Sequence, residues 1–552
     1  MRIGIDFDNT IINYHHVFHT LACEFSYISA DTPKDKEQVK QAIIARYGND
    51  MHWQELQSIA YGKAIFQAEP FEGVLVALAS LKAQGHELFI VSHKSVTSHY
   101  DPTVNLREYA LDWLTKNFIV NEALIQETSL FFLDNIEDKI STIRSLELDL
   151  FIDDLDLVLL HPSFPKKTIP IGFGDNKLSN AERCHNWQQC LQTCLVICSL
   201  GINEMQSWFS FEKGFPQTAK ALTRHGNNQI VEVVSQQSKK YILKRYFSSE
   251  FDSRNRGKTE FEALKLFCEH KINNTPYPYV FDNINQYAFY QYIEGSNQIS
   301  IEHSVESAKA IIQFVTQLKN IHQSADTLVM DQASDARNTL GDYFDKVESR
   351  LELIELGCEN NLALTEVKIF IKGEFCLFKE QVFTHARNKI EQYSLSDQQV
   401  FSSQSKTLSP SDLGPHNMLK SSDNDFSFID FEYFGLDDAC KMIADLFHHA
   451  QRKLSEKSKW AIYHEYLAHI SGNKEFVQRF DIVVDLIGLE WILIVLNIAA
   501  PGTIERRVFA NSQLDVEQLI TERLALATNM LQGFKNITDK SGQYLTINEE
   551  LE

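Results

Sequence analysis

The feature that most constrains this chain is a short apolar strand ending in two acids. It reads Gly4-Ile5-Asp6-Phe7-Asp8-Asn9-Thr10. Residues two apart on a strand point to the same side, so Asp6 and Asp8 face one small space. Two like charges that close repel unless a cation or a proton lies between them. The pair suits a Mg²⁺ site with one carboxylate free to attack phosphorus. Asp-x-Asp-x-Thr is also a common strand-end turn, so its weight comes from the segments downstream of it.

Those segments keep an alternating rhythm. Strand-like runs at Ile3–Phe7, Glu87–Ser92, Ser129–Leu133 and Leu148–Ile152 are separated by helical stretches such as Val74–Gln84 and Lys139–Leu146. Strands alternating with helices predict a parallel α/β sheet over residues 1–180. Residues 14–70 break the rhythm, read as helical, and are placed to form a small cap over the acidic pair. Three polar groups fall at carboxyl ends of strands, where open α/β sheets place ligands. Ser92 ends the second strand and can hydrogen-bond a phosphoryl oxygen. Asp153 and Asp154 end the fourth and can complete a Mg²⁺ shell. Lys139 opens the helix leading into that strand and can neutralise the phosphoryl group, with Lys94 as a rival for the role.

In order and placement these motifs resemble the haloacid dehalogenase-like (HAD-like) phosphohydrolase superfamily. The resemblance implies a Rossmann-like domain with a helical cap. It further implies Asp6 as nucleophile, Asp8 as acid/base, and Ser92 and Lys139 as phosphoryl-holding groups. Asp6, Asp8 through its carbonyl, Asp153 and Asp154 would bind Mg²⁺. Tyr14, His15, His16, His19, Trp53 and Tyr61 are the cap residues placed to choose a substrate.

Residues 181–222 read as a helical connector. Within it Cys190, Cys194 and Cys198 recur every fourth residue, just after Cys184 and His185. That spacing predicts one face of a buried helix; zinc is the rival, but Cys-x-x-Cys pairs are absent. From 223 to about 540 a second unit begins with strands at Gln229–Val234 and Lys240–Tyr246. A helix (Thr259–His270) and a strand pair around Tyr279 and Phe289 come next, and the remainder is mostly helical, interrupted by a polar loop at 394–411.

This second unit has its own chemistry. Ser411-Asp412-Leu413-Gly414-Pro415-His416-Asn417 is a loop of turn formers, succeeded by Phe428-Ile429-Asp430-Phe431-Glu432. Phosphoryl transfer from ATP needs a carboxylate to orient the acceptor hydroxyl and oxygen ligands to hold Mg²⁺. Asp412 fits the first need, Asn417 and Asp430 the second. Upstream, strand residue Lys244 and helix residue Glu260 can fix the α/β phosphates. Gly226 and Asn228 can form a turn over the nucleotide, and Gln291 and Ile293 lie on a link where adenine can meet backbone.

Taken in order, these residues resemble the aminoglycoside phosphotransferase and choline-kinase-like family, over residues 222–535. The resemblance implies a bilobal, protein-kinase-like (α+β) domain using ATP and Mg²⁺. The tail Asp430-Phe431-Glu432-Tyr433, Gly435, Asp437-Asp438 supports it, and Asp445 is expected to be structural. One departure stands out: the family's His two residues before the catalytic Asp is Pro410 here.

Composition narrows the partners. The chain has 552 residues, 44% hydrophobic, with a net charge of −22. That acidity argues against a nucleic-acid surface. The apolar stretch Ile482–Ala500 is broken by Asp485, Glu490 and Asn497, so a core helix rather than a membrane span is expected. Met1-Arg2 leads straight into a strand, so no signal peptide is expected, and nine cysteines fit a reducing cytoplasm. The sequence reading is a bifunctional enzyme: an ATP-dependent kinase of a small hydroxylated metabolite fused to an aspartyl-phosphate phosphatase. A sugar or sugar phosphate, as in surface-polysaccharide precursors, is the expected substrate. The rivals are a choline or amino-alcohol kinase, which needs an acidic aromatic pocket, and a binding module for nucleotide and phosphate without turnover.

Overall fold

The computed structural model describes residues 1–174, 182–222, 228–247, 254–296, 305–322, 331–359, 361–423, 425–450, 455–470, 473–504, 507 and 515–540. The chain divides into two compact units, Met1–Lys220 with Val233–Lys239, and Ala221–Glu232 with Lys240–Glu552.

The first unit is built on a six-stranded sheet. Its strands are β1 (Arg2–Ile5), β2 (Glu87–His93), β3 (Leu130–Leu133), β4 (Leu150–Asp153), β5 (Ile169–Phe173) and β6 (Arg183–Cys184). The order is β3-β2-β1-β4-β5-β6, and every pairing is parallel. β1 sits between β2 and β4, with Ile5 opposite Ile90 and Ile152, all three fully buried. Burying each such side chain stabilises by roughly 1.5–3 kcal/mol, so the apolar run that begins the chain is fixed at the sheet's centre. Its carboxyl end carries the acidic pair.

Residues 14–70 form helices α1 (His15–Glu24), α2 (Lys36–Tyr47) and α3 (Met51–Tyr61), in keeping with the broken rhythm of the sequence. The 181–222 stretch does more than connect. Part of it adds strand β6, and helix α4 (Trp187–Leu200) packs into the first unit, with the indole of Trp187 donating to the Thr10 carbonyl at 2.9 Å. Apolar residues spaced along one face of that helix explain this: Trp187, Cys190, Cys194 and Ile197 are all buried. The nine cysteines are unpaired, and among the described residues none belongs to a metal-ready cluster.

Next along the chain is a five-stranded sheet: β7 (Thr218–Leu222), β8 (Gln229–Val234), β9 (Lys240–Arg245), β10 (Pro278–Asp282) and β11 (Tyr287–Gln291), in the order β10-β11-β9-β8-β7. Helix α5 (Arg256–Glu269) joins β9 to β10. A largely helical region comes after it, broken by β12 (Lys406–Ser409), the hairpin β13 (Met418–Lys420) and β14 (Phe426–Phe428), and β15 (Gly435–Asp438). The longest apolar segment lies in helix α6 (Lys474–Val495) and its continuation to Ala499. It is long and apolar enough to cross a membrane by length and composition alone, with a mean hydropathy of 2.2. Instead, 89% of its apolar window is buried within the unit, and two of its acids are paired, Asp481 with Lys389 and Glu490 with Arg337 and Arg350, while Asp485 is buried with Oδ1 unbonded among the described residues.

Candidate functional sites

In the first unit, β1 delivers Asp6 beside β4, where the Asp6 N–H donates to the Ile152 carbonyl at 2.8 Å. β4 ends at Asp153. The helix Ile136–Ser145 between β3 and β4 buries Lys139 so that its ammonium donates to Asp6 Oδ1 and Asp153 Oδ2, both at 2.6 Å. One carboxylate oxygen each from Asp6, Asp153 and Asp154 falls within 4.8 Å of the others. Burial, with Asp153 and Asp8 adding to it, pushes the Asp6 carboxyl up to about 7 despite Lys139. Burial and the neighbouring Asp6 and Asp153 hold Asp154 well above the carboxylate range. Burial also opposes the Lys139 charge, but Asp153 and Asp6 outweigh it and hold the ammonium above its ordinary value. Three carboxylates thus face one ammonium. That is a donor set for a hard divalent cation with oxygen ligands.

The two lysines divide the work. Lys139 serves Asp6 and Asp153, whereas Lys94, just past β2, donates to both Asp8 oxygens at 2.9 and 2.8 Å. The Asp8 side chain also accepts from the Tyr14 hydroxyl at 3.0 Å. So the Asp8 carboxylate is paired with Lys94 rather than with the Asp6 cluster, although the strand pattern puts both acids in one space. Asn9 makes the turn just beyond, in the left-handed region at φ 57°, a conformation Asn tolerates better than most residues. Ser92 is buried on β2 and its hydroxyl has no hydrogen-bond partner among the described residues.

Of the cap candidates, Tyr14 reaches Asp8, and Tyr61 accepts from Lys36 at 2.8 Å. Lys36 carries no motif that would single it out in the sequence. Burial works against its charge, but Tyr61, Asp8 and Asp154 together raise its pKa, which makes it a third cation near the cluster. Trp53 stacks on Phe18, and His19 bonds the Thr32 carbonyl, so both are packing residues.

In the second unit, Lys244 on β9 donates to Glu260 Oε2 at 2.6 Å and to Asp430 Oδ1 at 2.7 Å. The Tyr246 hydroxyl also donates to Glu260. Burial raises the Glu260 pKa against the pull of Lys244. The β13–β14 hairpin brings Asn417 and Asp430 to the same end: Met418 pairs with Phe428, and the Ile429 N–H donates to the Asn417 carbonyl at 2.9 Å. The Asn417 side chain in turn donates to the Asp412 carbonyl at 3.1 Å. Ser411 and Asp430 both hold positive φ, 61° and 69°, a conformation costing about 1–3 kcal/mol per residue that clusters at functional sites.

Pro410 replaces the expected histidine, but Asp412 does not lack one. His449 Nε2 lies 3.2 Å from Asp412 Oδ1, and His416 Nε2 lies 3.3 Å from Oδ2. Burial opposes the Asp412 charge, yet hydrogen bonds from the two histidines hold its carboxyl well below the usual range. His449 sits 37 residues downstream, beyond the reach of any local motif, and no signal in the sequence points to it.

One expectation for the nucleotide loop and one for the link change. Gly226 lies outside the described residues. Asn228 is buried and donates to Glu432 Oε2 at 2.7 Å, in a network where Arg256 also holds Glu432 at 2.8 Å. Its side chain is therefore turned inward rather than towards a nucleotide. The Gln291 N–H is spent on the Tyr277 carbonyl at 2.8 Å, so it is closed to adenine. Ile293 lies just past β11 in the link, half-buried.

No family model matches this chain, and no curated protein matches it. Among solved structures, it is similar to the choline kinase LicA from Streptococcus pneumoniae at 15% identity, over 60% of this chain and 98% of that one, with a TM-score of 0.39. It is also similar to an ethanolamine kinase from Plasmodium vivax at 14% identity, over 57% and 83%, with a TM-score of 0.36. The spectinomycin phosphotransferase APH(9)-Ia in complex with ADP and spectinomycin aligns at 13% identity, over 58% and 94%, with a TM-score of 0.40. At these scores the likenesses carry no weight for fold or activity.

Proposed function

We propose that the second unit is an ATP-dependent kinase of a small hydroxylated metabolite and that the first unit is a phosphatase. The observation that carries the kinase reading is the contact of Lys244 with both Glu260 and Asp430. A strand lysine fixed by a helix carboxylate is suited to phosphates, and Asp430 with Asn417 is suited to Mg²⁺. Magnesium, when bound, neutralises charge developing on the transferred group. Asp412, kept anionic by His416 and His449, orients the acceptor hydroxyl and takes its proton. A sugar or sugar phosphate is the acceptor class we favour, and the cytoplasm the location.

For the first unit, the Asp6–Lys139–Asp153 cluster supports an aspartyl-phosphate reaction. Asp6 attacks phosphorus while the leaving oxygen takes a proton delivered through Asp8 from the Lys94 ammonium that donates to it. Asp8 then removes a proton from the water that cleaves the acyl phosphate, regenerating the Asp6 carboxylate. Asp6, Asp153 and Asp154 would hold Mg²⁺, which shields the repulsion between nucleophile and phosphate.

Phosphorus NMR of the full chain with Mg-ATP and a panel of sugars, sugar phosphates and amino alcohols tests both halves. A new phosphoester that Asp412→Asn abolishes supports the kinase. Release of phosphate that Asp6→Asn abolishes supports the phosphatase. Tight ATP binding with no transfer from wild type to any panel member would favour a binding module.

A further inference from the structure

Asp412 opens onto a cleft of about 1180 Å³ in the second unit, and the charges on its wall are unevenly settled. Asp412 apart, the acids are spoken for. Asp335 takes Lys346 and Arg350, Glu490 takes Arg337 at 2.6 Å and Arg350 at 2.9 Å, and Asp445 takes Lys441 at 2.8 Å. Asp445 also accepts from the Trp491 indole at 2.9 Å. Arg523 lines the same cleft, is half-buried, and makes no hydrogen bond or ion pair among the described residues. Its one electrostatic neighbour is Glu522, adjacent in the chain, and burial lowers its pKa.

We propose that the phosphoryl acceptor is itself an anion, a hydroxylated metabolite whose phosphate or carboxylate group is bound by Arg523 while its hydroxyl meets Asp412. A planar guanidinium without a partner presents a fork of donors matched to either group. An ammonium-bearing acceptor would need an open carboxylate or an aromatic box. Here the wall acids other than Asp412, which meets the acceptor hydroxyl, are neutralised, and Trp491 is engaged by Asp445 and packed against His449 at 4.4 Å between ring centroids. This rests on the kinase reading of the Asp412 site and narrows it.

The test is a steady-state kinase assay on the full chain. The acceptors are hexoses, hexose monophosphates, hexuronic acids, choline and ethanolamine, with Mg-ATP binding measured separately by calorimetry. We expect transfer to at least one anionic member. Arg523→Gln should raise its KM roughly ten- to a hundredfold, the worth of a charge-assisted hydrogen bond. kcat and ATP affinity should hold, and Arg523→Lys should recover part of the loss. Transfer only to neutral or cationic members overturns the proposal, as does an anionic acceptor indifferent to Arg523→Gln. If Mg-ATP binds but no acceptor reacts, the acceptor proposal falls and the nucleotide site stands. If Mg-ATP does not bind, the kinase reading itself falls.

Discussion

Each unit contains a buried lysine bridging two carboxylates, and the two bridges are nearly the same length. Lys139 meets Asp6 and Asp153 at 2.6 Å, and Lys244 meets Glu260 and Asp430 at 2.6 and 2.7 Å. What differs is the outer partner. Around Lys139 both acids are closed off, the Asp153 side chain completely, and Asp154 adds a further carboxylate. Around Lys244 one acid, Glu260, is a buried anchor, whereas the Asp430 side chain is 35% exposed at the end of a hairpin. The first bridge is a fixed clamp short of positive charge. The second is anchored on one side and open on the other, so a ligand phosphate can compete for Lys244. Bridge distances alone do not separate these cases; exposure of the second carboxylate does.

The largest effect should come from removing each lysine. Lys139→Met leaves Asp6 and Asp153 buried without a cation, a loss expected to cost about 3–5 kcal/mol. Lys244→Met strands only Glu260, which keeps the Tyr246 hydrogen bond, so about 1–3 kcal/mol is expected. Urea unfolding of both variants, without nucleotide or metal, measures the gap. Equal losses would show that exposure of the outer acid does not matter.

Magnesium gives the next contrast. Mg²⁺ without nucleotide should stabilise the fold through the Asp6 cluster, by about 2.7 kcal/mol at a hundred times the dissociation constant, and so raise the unfolding temperature. Asp153→Asn should remove that shift and Asp430→Asn should leave it, because a single half-exposed carboxylate beside a lysine holds a cation poorly. Calorimetric scans with and without Mg²⁺ decide the matter, and an equal loss in both variants would break the comparison.

Much of this is legible in the sequence, and the reason is local. Asp6, Asp153 and Lys244 lie on or at the ends of strands whose apolar runs and period fix which way the side chains point. Helices 14–70 are legible from the break in strand rhythm. What escapes depends on contacts distant in sequence. The Asp8–Lys94 pair joins residues 86 apart, and His449 reaches Asp412 from 37 residues away. Asn228 misleads because an Asn soon after a glycine suggests a turn, while its partner Glu432 lies 204 residues on. β7 reads as helical connector because its five residues, Thr-Ala-Lys-Ala-Leu, carry little β-branched character.

The smallest contrast is in acid response, and the two units should move in opposite directions. In the metal-free protein Asp6 titrates near 7 when folded and near 3.8 when unfolded. Between those values the folded state binds the extra proton, so this group favours folding more as pH falls from 7 to 4. In the second unit His448 is partly buried beside Phe534, its shielded Nε2 without a hydrogen-bond partner among the described residues, and desolvation with nearby Lys459 lowers its pKa to about 3. There the unfolded state binds the extra proton, so its stabilising share is complete above 6.5 and lost as pH falls towards 3. Each group alone contributes a slope of at most about 1.4 kcal/mol per pH unit. Denaturant unfolding in chelator at pH 7, 6 and 5 should therefore show His448→Gln gaining on wild type as pH drops. Asp6→Asn should be most favoured relative to wild type at pH 7 and lose that advantage by pH 5. If both differences run the same way, the buried acid and the half-buried imidazole are not in the opposed states that their surroundings dictate.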